Sequence, residues 1–308
     1  MSERELDDYR ILAEVEPAVA KLIDRHVSMA KEWFPHEYVP WSQGRDFDKE
    51  PWTPDQSRLE GVARTAFEVN LLTEDNLPAY HRLIDNMFHK GDGAWRNWVN
   101  RWTAEEGRHA IVIRDYLTVT RGVDPVALER GRMQTMLKGY DRPVSAVEGL
   151  AYTAMQELAT RISHQNTGRY SADPVADKIM ARVAADENLH MVFYRDSLSA
   201  IFEVAPNVAM KAVLREVVEF AMPGEGIAGF ARKAAQMAAA GIYDLRIHHD
   251  DIVTPLLKHW KIFERSDLDA SGEQARETLA EYMARMSESA KRFVEKREAR
   301  QEAKAARA

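Results

Sequence analysis

Apolar residues recur along most of this chain at intervals of three and four, and strand-like alternation is nearly absent, so the pattern predicts an all-α protein. Positions 9–31 form one amphipathic stretch. An aromatic segment from Trp33 to Pro54 follows, and its opening, Trp33-Phe-Pro-His-Glu-Tyr-Val-Pro-Trp41, carries two prolines that forbid a regular helix. Helical spacing resumes over 57–89, with Pro78 predicting a kink or restart near Asn76. Gly91-Asp-Gly93 predicts a turn into a helix over 94–121, which Gly122 and Pro125 end. A helix over 145–169 follows, then one over 174–204 opened by Asp173 as N-cap and Pro174 as first residue. Shorter helices are expected over 207–220, stopped by Met222-Pro-Gly224, then over 226–240 and 249–260. Residues 1–270 read as a single domain, and 271–308 as a charged C-terminal helix or tail that is solvated and frays.

Two of these helices carry polar residues where the pattern demands apolar ones. In 94–121, Trp95, Val99, Trp102, Glu106, His109, Ile113 and Tyr116 follow alternate steps of four and three, a single inward stripe. In 174–204 the same steps pick out Ala176, Met180, Val183, Glu187, His190, Tyr194, Ser197 and Ile201. A buried carboxylate or imidazole is costly unless something pairs with it. Residues at i and i+3 adjoin on a helix, so each Glu-x-x-His can converge on one ion. By count alone two such pairs mean little, and core histidines beside surface-leaning glutamates are the plain alternative; the register on apolar stripes is what favours a metal. Glu74 stands with Phe67, Leu71 and Leu77 on its side of the earlier helix, and Glu157 lies in one of the least charged stretches. The order Glu, Glu-x-x-His, Glu, Glu-x-x-His on four successive long helices points to a two-metal carboxylate bundle. Oxygen and imidazole donors suit iron or manganese better than copper.

Composition narrows the setting. With 308 residues, 45% of them hydrophobic, the chain can bury a large core. No uncharged apolar run is long enough to predict a transmembrane segment, and the acidic, polar start does not read as a secretory signal. The absence of cysteine excludes disulfides, thiolate catalysis and iron–sulfur clusters held by this chain, and makes a cytoplasmic location the expectation. A net charge of -7 argues against a nucleic-acid partner. His248-His249-Asp250-Asp251 reads as a helix start with acidic first-turn residues rather than as a metal cluster.

Four segments carry a more specific resemblance: Thr73-Glu-Asp-Asn-Leu-Pro-Ala-Tyr80, Trp102-Thr-Ala-Glu-Glu-Gly-Arg-His109, Gln156-Glu-Leu-Ala-Thr-Arg-Ile-Ser-His164 and Ala185-Asp-Glu-Asn-Leu-His190. With the Trp33–Pro40 stretch and the Tyr243–Lys261 region, they make the chain resemble the soluble acyl-[acyl-carrier-protein] desaturases, the type 2 fatty acid desaturases, in particular the actinobacterial branch. The resemblance spans about residues 10–265. It implies a ferritin-like di-iron four-helix bundle with additional packed helices. Glu74, Glu106 and His109 would hold one iron and Glu157, Glu187 and His190 the other, Glu106 and Glu187 bridging. Thr160 matches a position whose hydroxyl sits beside the oxygen-binding face; it is equally a helix Thr bonded to the carbonyl four residues back. Trp33 and Asp186 match positions proposed to pass electrons through His109, and Asp186 also reads as an acceptor that orients a ligand histidine. Leu83, Met87, Gly149 and Leu150 match residues lining an acyl channel. Two departures from the family pattern are Gly107, where Asn is usual, and Leu189, where Arg is frequent.

The implied activity is O2-dependent insertion of a cis double bond into a saturated acyl group on acyl carrier protein, with electrons from ferredoxin and a homodimeric assembly. Other readings of the same metal pattern are a different di-iron oxidase or hydroxylase, a radical subunit like that of ribonucleotide reductase with Tyr116 or Tyr194 near the ligands, and a ferritin-like iron store or peroxide scavenger.

Overall fold

Caps and prolines set most helix boundaries in the computed structural model, which describes residues 3–88, 93–142, 144–224 and 226–306. No strand occurs among them, and the all-α expectation is borne out. Helix α1 spans Glu3–Met29, starting earlier than the apolar spacing suggests. The proline-bearing stretch after it forms short 3-10 turns at Pro35–Glu37, Trp41–Gln43 and Pro54–Gln56. The helical pattern over 57–89 resolves into α2 (Gly61–Glu74) and α3 (Leu77–Phe88), broken at Asp75 and Asn76. Pro78 sits in the first turn of α3, where its missing N–H leaves no helical bond unmade. Helix α4 spans Ala94–Val119; Gly91 and Asp92 of the expected turn lie outside the described residues.

Pro125 does not merely end what precedes it. It is the first residue of α5 (Pro125–Lys138), a helix the apolar spacing does not predict. Asp124 caps it, its Oδ1 accepting from the backbone N–H of Val126 at 2.9 Å and of Ala127 at 3.3 Å, an arrangement typically worth about 1 kcal/mol. Helix α6 (Ala146–Tyr170) opens with a reciprocal Ser145–Glu148 capping box. Asp173 then repeats the Asp124 cap for α7 (Pro174–Val204).

The remaining helices are α8 (Pro206–Glu219), α9 (Phe230–Ala239), α10 (Leu245–Ile247), α11 (Thr254–His259) and α12 (Ala270–Ala305). Between α10 and α11, His248–Val253 form a π-helical turn. The expected helix start at His248 is therefore corrected: the N-cap is Asp244, whose Oδ1 accepts from Ile247 N–H at 2.9 Å. Nor is α12 solvated all round, since Ala275, Leu279, Met286 and Ala290 are buried as it packs on α8.

The most extensive pairing is between α6 and α7; α4 lies against α2 and α7, and α2 against α6. On the outside, α1 covers α4 and α7, α3 covers α4 and α6, and α8 covers α6 and α7. Two apolar clusters fill this bundle. One gathers Trp95, Trp98 and Trp102 of α4 with Phe193, Tyr194 and Leu198 of α7; the other gathers Ala110, Ile113 and Tyr116 with Met180 and Val183. Residues 105–109 and 186–190 lie between them in the chain, so a polar layer separates two apolar ones. No helix among the described residues is long and apolar enough to cross a membrane.

Candidate metal centre

Helices α2, α4, α6 and α7 each turn a carboxylate into that polar layer. Glu74, Glu106, His109 and Glu187 bring ligand-capable atoms within 4.8 Å of one another, and so do Glu106, Glu157, Glu187 and His190. Glu106 and Glu187 belong to both groups. All six residues are buried, the two histidines completely. Glu106 Oε1, His109 Nδ1, Glu187 Oε2 and His190 Nδ1 have no hydrogen-bond partner. His190 Nδ1 lies 2.8 Å from Glu106 Oε1 without the direction of a hydrogen bond. Leaving such atoms unsatisfied costs roughly 1–3 kcal/mol each, and converging oxygen and imidazole donors of this kind fit a pair of divalent cations.

The electrostatics are those of a carboxylate surplus. Burial raises the Glu157 carboxyl well above its ordinary range, and Glu187 and Glu106 push it further. Burial also works to raise Glu187, but the imidazoles of His164 and His190 close beside it outweigh burial and hold Glu187 well below. For His109 and His190 burial opposes the charge. The carboxylates around them win, chiefly Glu106 for the first and Glu105 for the second, and hold both imidazoles well above their usual value. His164, completely buried on α6, has its Nε2 2.9 Å from Glu74 Oε1 and is raised to about 9 against the same burial penalty, by Glu187 and Glu74.

Around this centre runs a duplicated outer ring. Asp186 Oδ2 accepts from Trp33 Nε1 at 2.7 Å and from Arg108 at 3.0 Å, and lies 3.5 Å from His109 Nε2. Its Oδ1 is held by Arg182 of its own helix. Glu105 does the same on the other side: its Oε2 is 3.0 Å from His190 Nε2 and 2.8 Å from His26 Nε2, and its Oε1 accepts from Arg101 at 2.6 Å. Glu105 thus occupies His190 Nε2 while Asp186 stands beside His109 Nε2, and both histidines turn Nδ1 toward the carboxylates. Neither Glu105 nor His26 is singled out by the Glu-x-x-His pattern. A longer alignment finds the first, because Arg101-Trp-Thr-Ala-Glu-Glu-Gly-Arg-His109 and Arg182-Val-Ala-Ala-Asp-Glu-Asn-Leu-His190 share Arg, Ala, an acid, Glu and His in register. His26, far away on α1, has no such signal. Trp102 has two roles, packing in the core and donating from Nε1 to Glu157 at 3.1 Å.

The other expected residues fall as follows. Trp33 is buried, with the guanidinium groups of Arg108 and Arg182 over its ring at 4.9 and 5.7 Å from the centroid. Thr160 donates to the Gln156 carbonyl at 2.8 Å, the helix-Thr arrangement, and also helps line a cavity beside Glu74. A second cavity has Glu74, Glu106, Glu157 and Glu187 in its wall together with Leu83, Met87 and Gly149. Leu150 does not line it; one step round α6 from Gly149, it packs into the apolar core. Arg132 of α5 pairs with Asp75 at the break after α2, next in sequence to Glu74.

Comparison with known proteins agrees with this architecture. A family model described as fatty acid desaturase, of the type 2 kind, matches residues 7–308. The chain is 50% identical over 287 residues to a Mycobacterium tuberculosis protein provisionally named acyl-[acyl-carrier-protein] desaturase DesA1, covering 89% of this chain and 85% of that one. It is 29% identical over 287 residues to the chloroplastic stearoyl-[acyl-carrier-protein] 9-desaturase of Gossypium hirsutum, covering 86% and 72%. Its fold superposes on an X-ray structure provisionally assigned as acyl-ACP desaturase DesA2 of Mycobacterium tuberculosis with a TM-score of 0.70 at 28% identity, covering 86% of this chain and 99% of that one. With an all-helical fold and a family match over nearly its whole length, the chain belongs to the type 2 fatty acid desaturase family.

Proposed function

We propose that this chain is a di-iron, O2-dependent desaturase that inserts a cis double bond into a saturated acyl group carried on acyl carrier protein. The observation that carries the reading is the cavity whose wall contains four of the six carboxylate and imidazole residues of the centre beside Leu83, Ile84 and Met87. A saturated chain has no polar handle near the reacting carbons, so it must be placed by shape, and an apolar cavity running past a metal centre does that. Glu74, Glu106 and His109 would hold one iron, and Glu157, Glu187 and His190 the other, with Glu106 and Glu187 shared. When bound, the two irons supply the O2 and one-electron chemistry that side chains cannot. The protein fixes the donors, keeps water out and aligns two adjacent methylenes. Two hydrogens leave the chain, and with two electrons and two protons from outside they reduce O2 to water. Trp33, Asp186 and His109 form the contiguous route by which electrons from a ferredoxin-like reductant would arrive, and the Thr160 hydroxyl would face the oxygen-binding side. A cytoplasmic homodimer is the expected working form.

The test is to load the protein with iron, supply O2, a ferredoxin system and acyl carrier protein bearing saturated chains, and read product mass and double-bond position. Unchanged turnover and iron content in Glu106→Ala or His190→Ala would discard the site. A tyrosyl radical in the oxidised, iron-loaded protein would instead favour the radical-subunit reading, with Tyr194, whose buried hydroxyl has no partner, the residue to substitute first.

A further inference from the structure

Thr73 and Glu74 stand in the walls of two cavities, and among the described residues the two share no other lining. Along α6 the acyl cavity takes residues from Gly149 to Glu157. The cavity beside Thr160 takes Thr160 and Ser163, one turn further on. Glu74 is therefore approached from two sides, and an acyl chain that fills the first cavity leaves the second open.

The lining of the second cavity selects what can use it. Its outer wall, Met222 with Phe230, Ala234 and Met237, is apolar. Its inner wall carries Asn70, Thr73, Thr160 and Ser163, whose polar groups are already engaged. Thr73 donates to the Val69 carbonyl at 3.0 Å and Thr160 to the Gln156 carbonyl at 2.8 Å. Ser163 donates to Asn70 at 3.4 Å, and Asn70 to Thr167 at 3.0 Å. The Tyr243 hydroxyl is 2.9 Å from His248 Nδ1, and Glu74 Oε1 is 2.9 Å from His164 Nε2. A Ser or Thr hydroxyl has one proton, and all three are spent on the protein, so none is left to hold water or an anion. Such a lining suits a small, uncharged, apolar molecule. The outer wall is also thin. Helix α9 packs chiefly on α2, with Lys233 3.4 Å from Glu68, and of its 10 residues only Met237 is buried. It is bounded by Gly229 at a φ of +68° and Gly241 at +76°, conformations that favour glycine. A short helix with so little buried surface belongs to the part of a fold that opens locally.

We propose that O2 reaches the centre through this second cavity, entering on the side of α9 and passing Ala234 and Thr160 to Glu74, while the acyl chain occupies the other. This rests on the desaturase reading above only in requiring O2 and the chain at the same time. The first measurement uses the metal-free full chain, crystallised and pressurised with xenon, an apolar probe that enters dry cavities. Xenon should sit between Ala234 and Thr160 in the wild type, and Ala234→Trp, which fills the cavity from its outer wall, should lose it. The second measurement follows oxidation of the reduced, iron-loaded full chain by O2 in stopped flow. Ala234→Trp should slow it on the order of tenfold and raise the KM for O2, with the acyl KM and bond position at their wild-type values. Leu83→Trp, which fills the acyl cavity, should raise the acyl KM while keeping the xenon site and the oxidation rate. Ala234→Leu carries the same test if the larger substitution does not fold. No xenon in the wild-type cavity, or a wild-type oxidation rate in a variant that has lost the xenon site, overturns the proposal. So does an oxidation rate that falls in Leu83→Trp as far as in Ala234→Trp. A protein that binds iron and reacts with O2 yet converts no acyl chain overturns the desaturase reading instead, and the oxidation rate of Ala234→Trp still decides the route.

Discussion

Helices α4 and α7 carry the same pattern of Arg, Ala, acid, Glu and His at 101–109 and 182–190, yet their outer rings end in different places. From α7, Asp186 reaches Trp33, an indole under two guanidinium groups and next in sequence to the exposed Phe34. From α4, Glu105 reaches His26, a buried imidazole edge-on to Trp98 with centroids 5.0 Å apart. The inner halves match because one pair of cations would need the same donors from both sides. The outer halves diverge in what the acid bonds, an indole flanked by guanidinium groups on one side and a second buried imidazole on the other. Position 108 is Arg, which bonds Asp186 across the bundle, whereas the equivalent Leu189 leaves Glu105 to Arg101 and the histidines.

Breaking the inner halves should have the largest and most symmetric effect. Glu106→Ala and Glu187→Ala each remove a carboxylate common to both groups, and each is expected to abolish turnover and bound iron, read by elemental analysis beside the desaturation assay. If one variant kept both irons, the two halves would not share their carboxylates.

Substituting the outer acids should cost less and begin to separate the halves. Asp186→Asn and Glu105→Gln are each expected to lower metal affinity or activity on the order of 10–100-fold. Trp33→Phe should slow reduction by an external donor while leaving iron affinity near wild type. His26→Gln should do the reverse. Equal effects of the two on stopped-flow reduction would remove the functional difference drawn between the rings.

A pH comparison asks how far the carboxylate surplus extends. His164, beside Glu74 and Glu187, is raised to about 9, so in the metal-free protein its contribution to stability is complete below about 6.5 and is lost as pH climbs through 9. His248 lies outside the centre, stacked on Phe220 at 4.6 Å and 2.9 Å from the Tyr243 hydroxyl; burial lowers it to about 4, with His249 adding to the effect. Its unfolded form therefore binds the proton first, and stability falls as pH drops from about 6.5 toward 4. Urea unfolding across pH should show the alkaline loss diminished in His164→Gln and the acid loss diminished in His248→Gln. Identical pH profiles in the two variants would contradict the separation.

The smallest effect concerns Gly107, whose counterpart on α7 is Asn188. A Cβ at Gly107 would meet nothing nearer than Leu77 Cδ2 at 4.0 Å, so Gly107→Ala has room. It should stabilise the protein by about 0.5–1 kcal/mol in denaturant unfolding, with activity little changed.

What could be read from the chain tracks what is local. The two inward stripes came through because helical period is a property of neighbours in sequence, and every residue of both stripes is buried. Helix α5 has no clear apolar spacing, so Pro125 looks like the stop of the helix before it, although Asp124-Pro125 carries the same start signal as Asp173-Pro174. The π turn at His248–Val253 is not legible, because no short-range pattern distinguishes it from an ordinary helix start. Glu105 is legible only in the longer repeat that reaches back to Arg101.

By itself the sequence determined the helical class, four carboxylate-bearing helices and the residues whose burial demands a partner, because period and side-chain chemistry are written residue by residue. The tertiary structure alone decided the contacts themselves: how close Glu106 and Glu187 come to both groups, that His26 bonds Glu105 and Trp33 bonds Asp186, and that Arg142 meets Glu216. Those contacts join positions 74 to 153 residues apart, and a hydrogen bond or ion pair depends on distance in space, which packing of the helices sets and spacing along the chain does not.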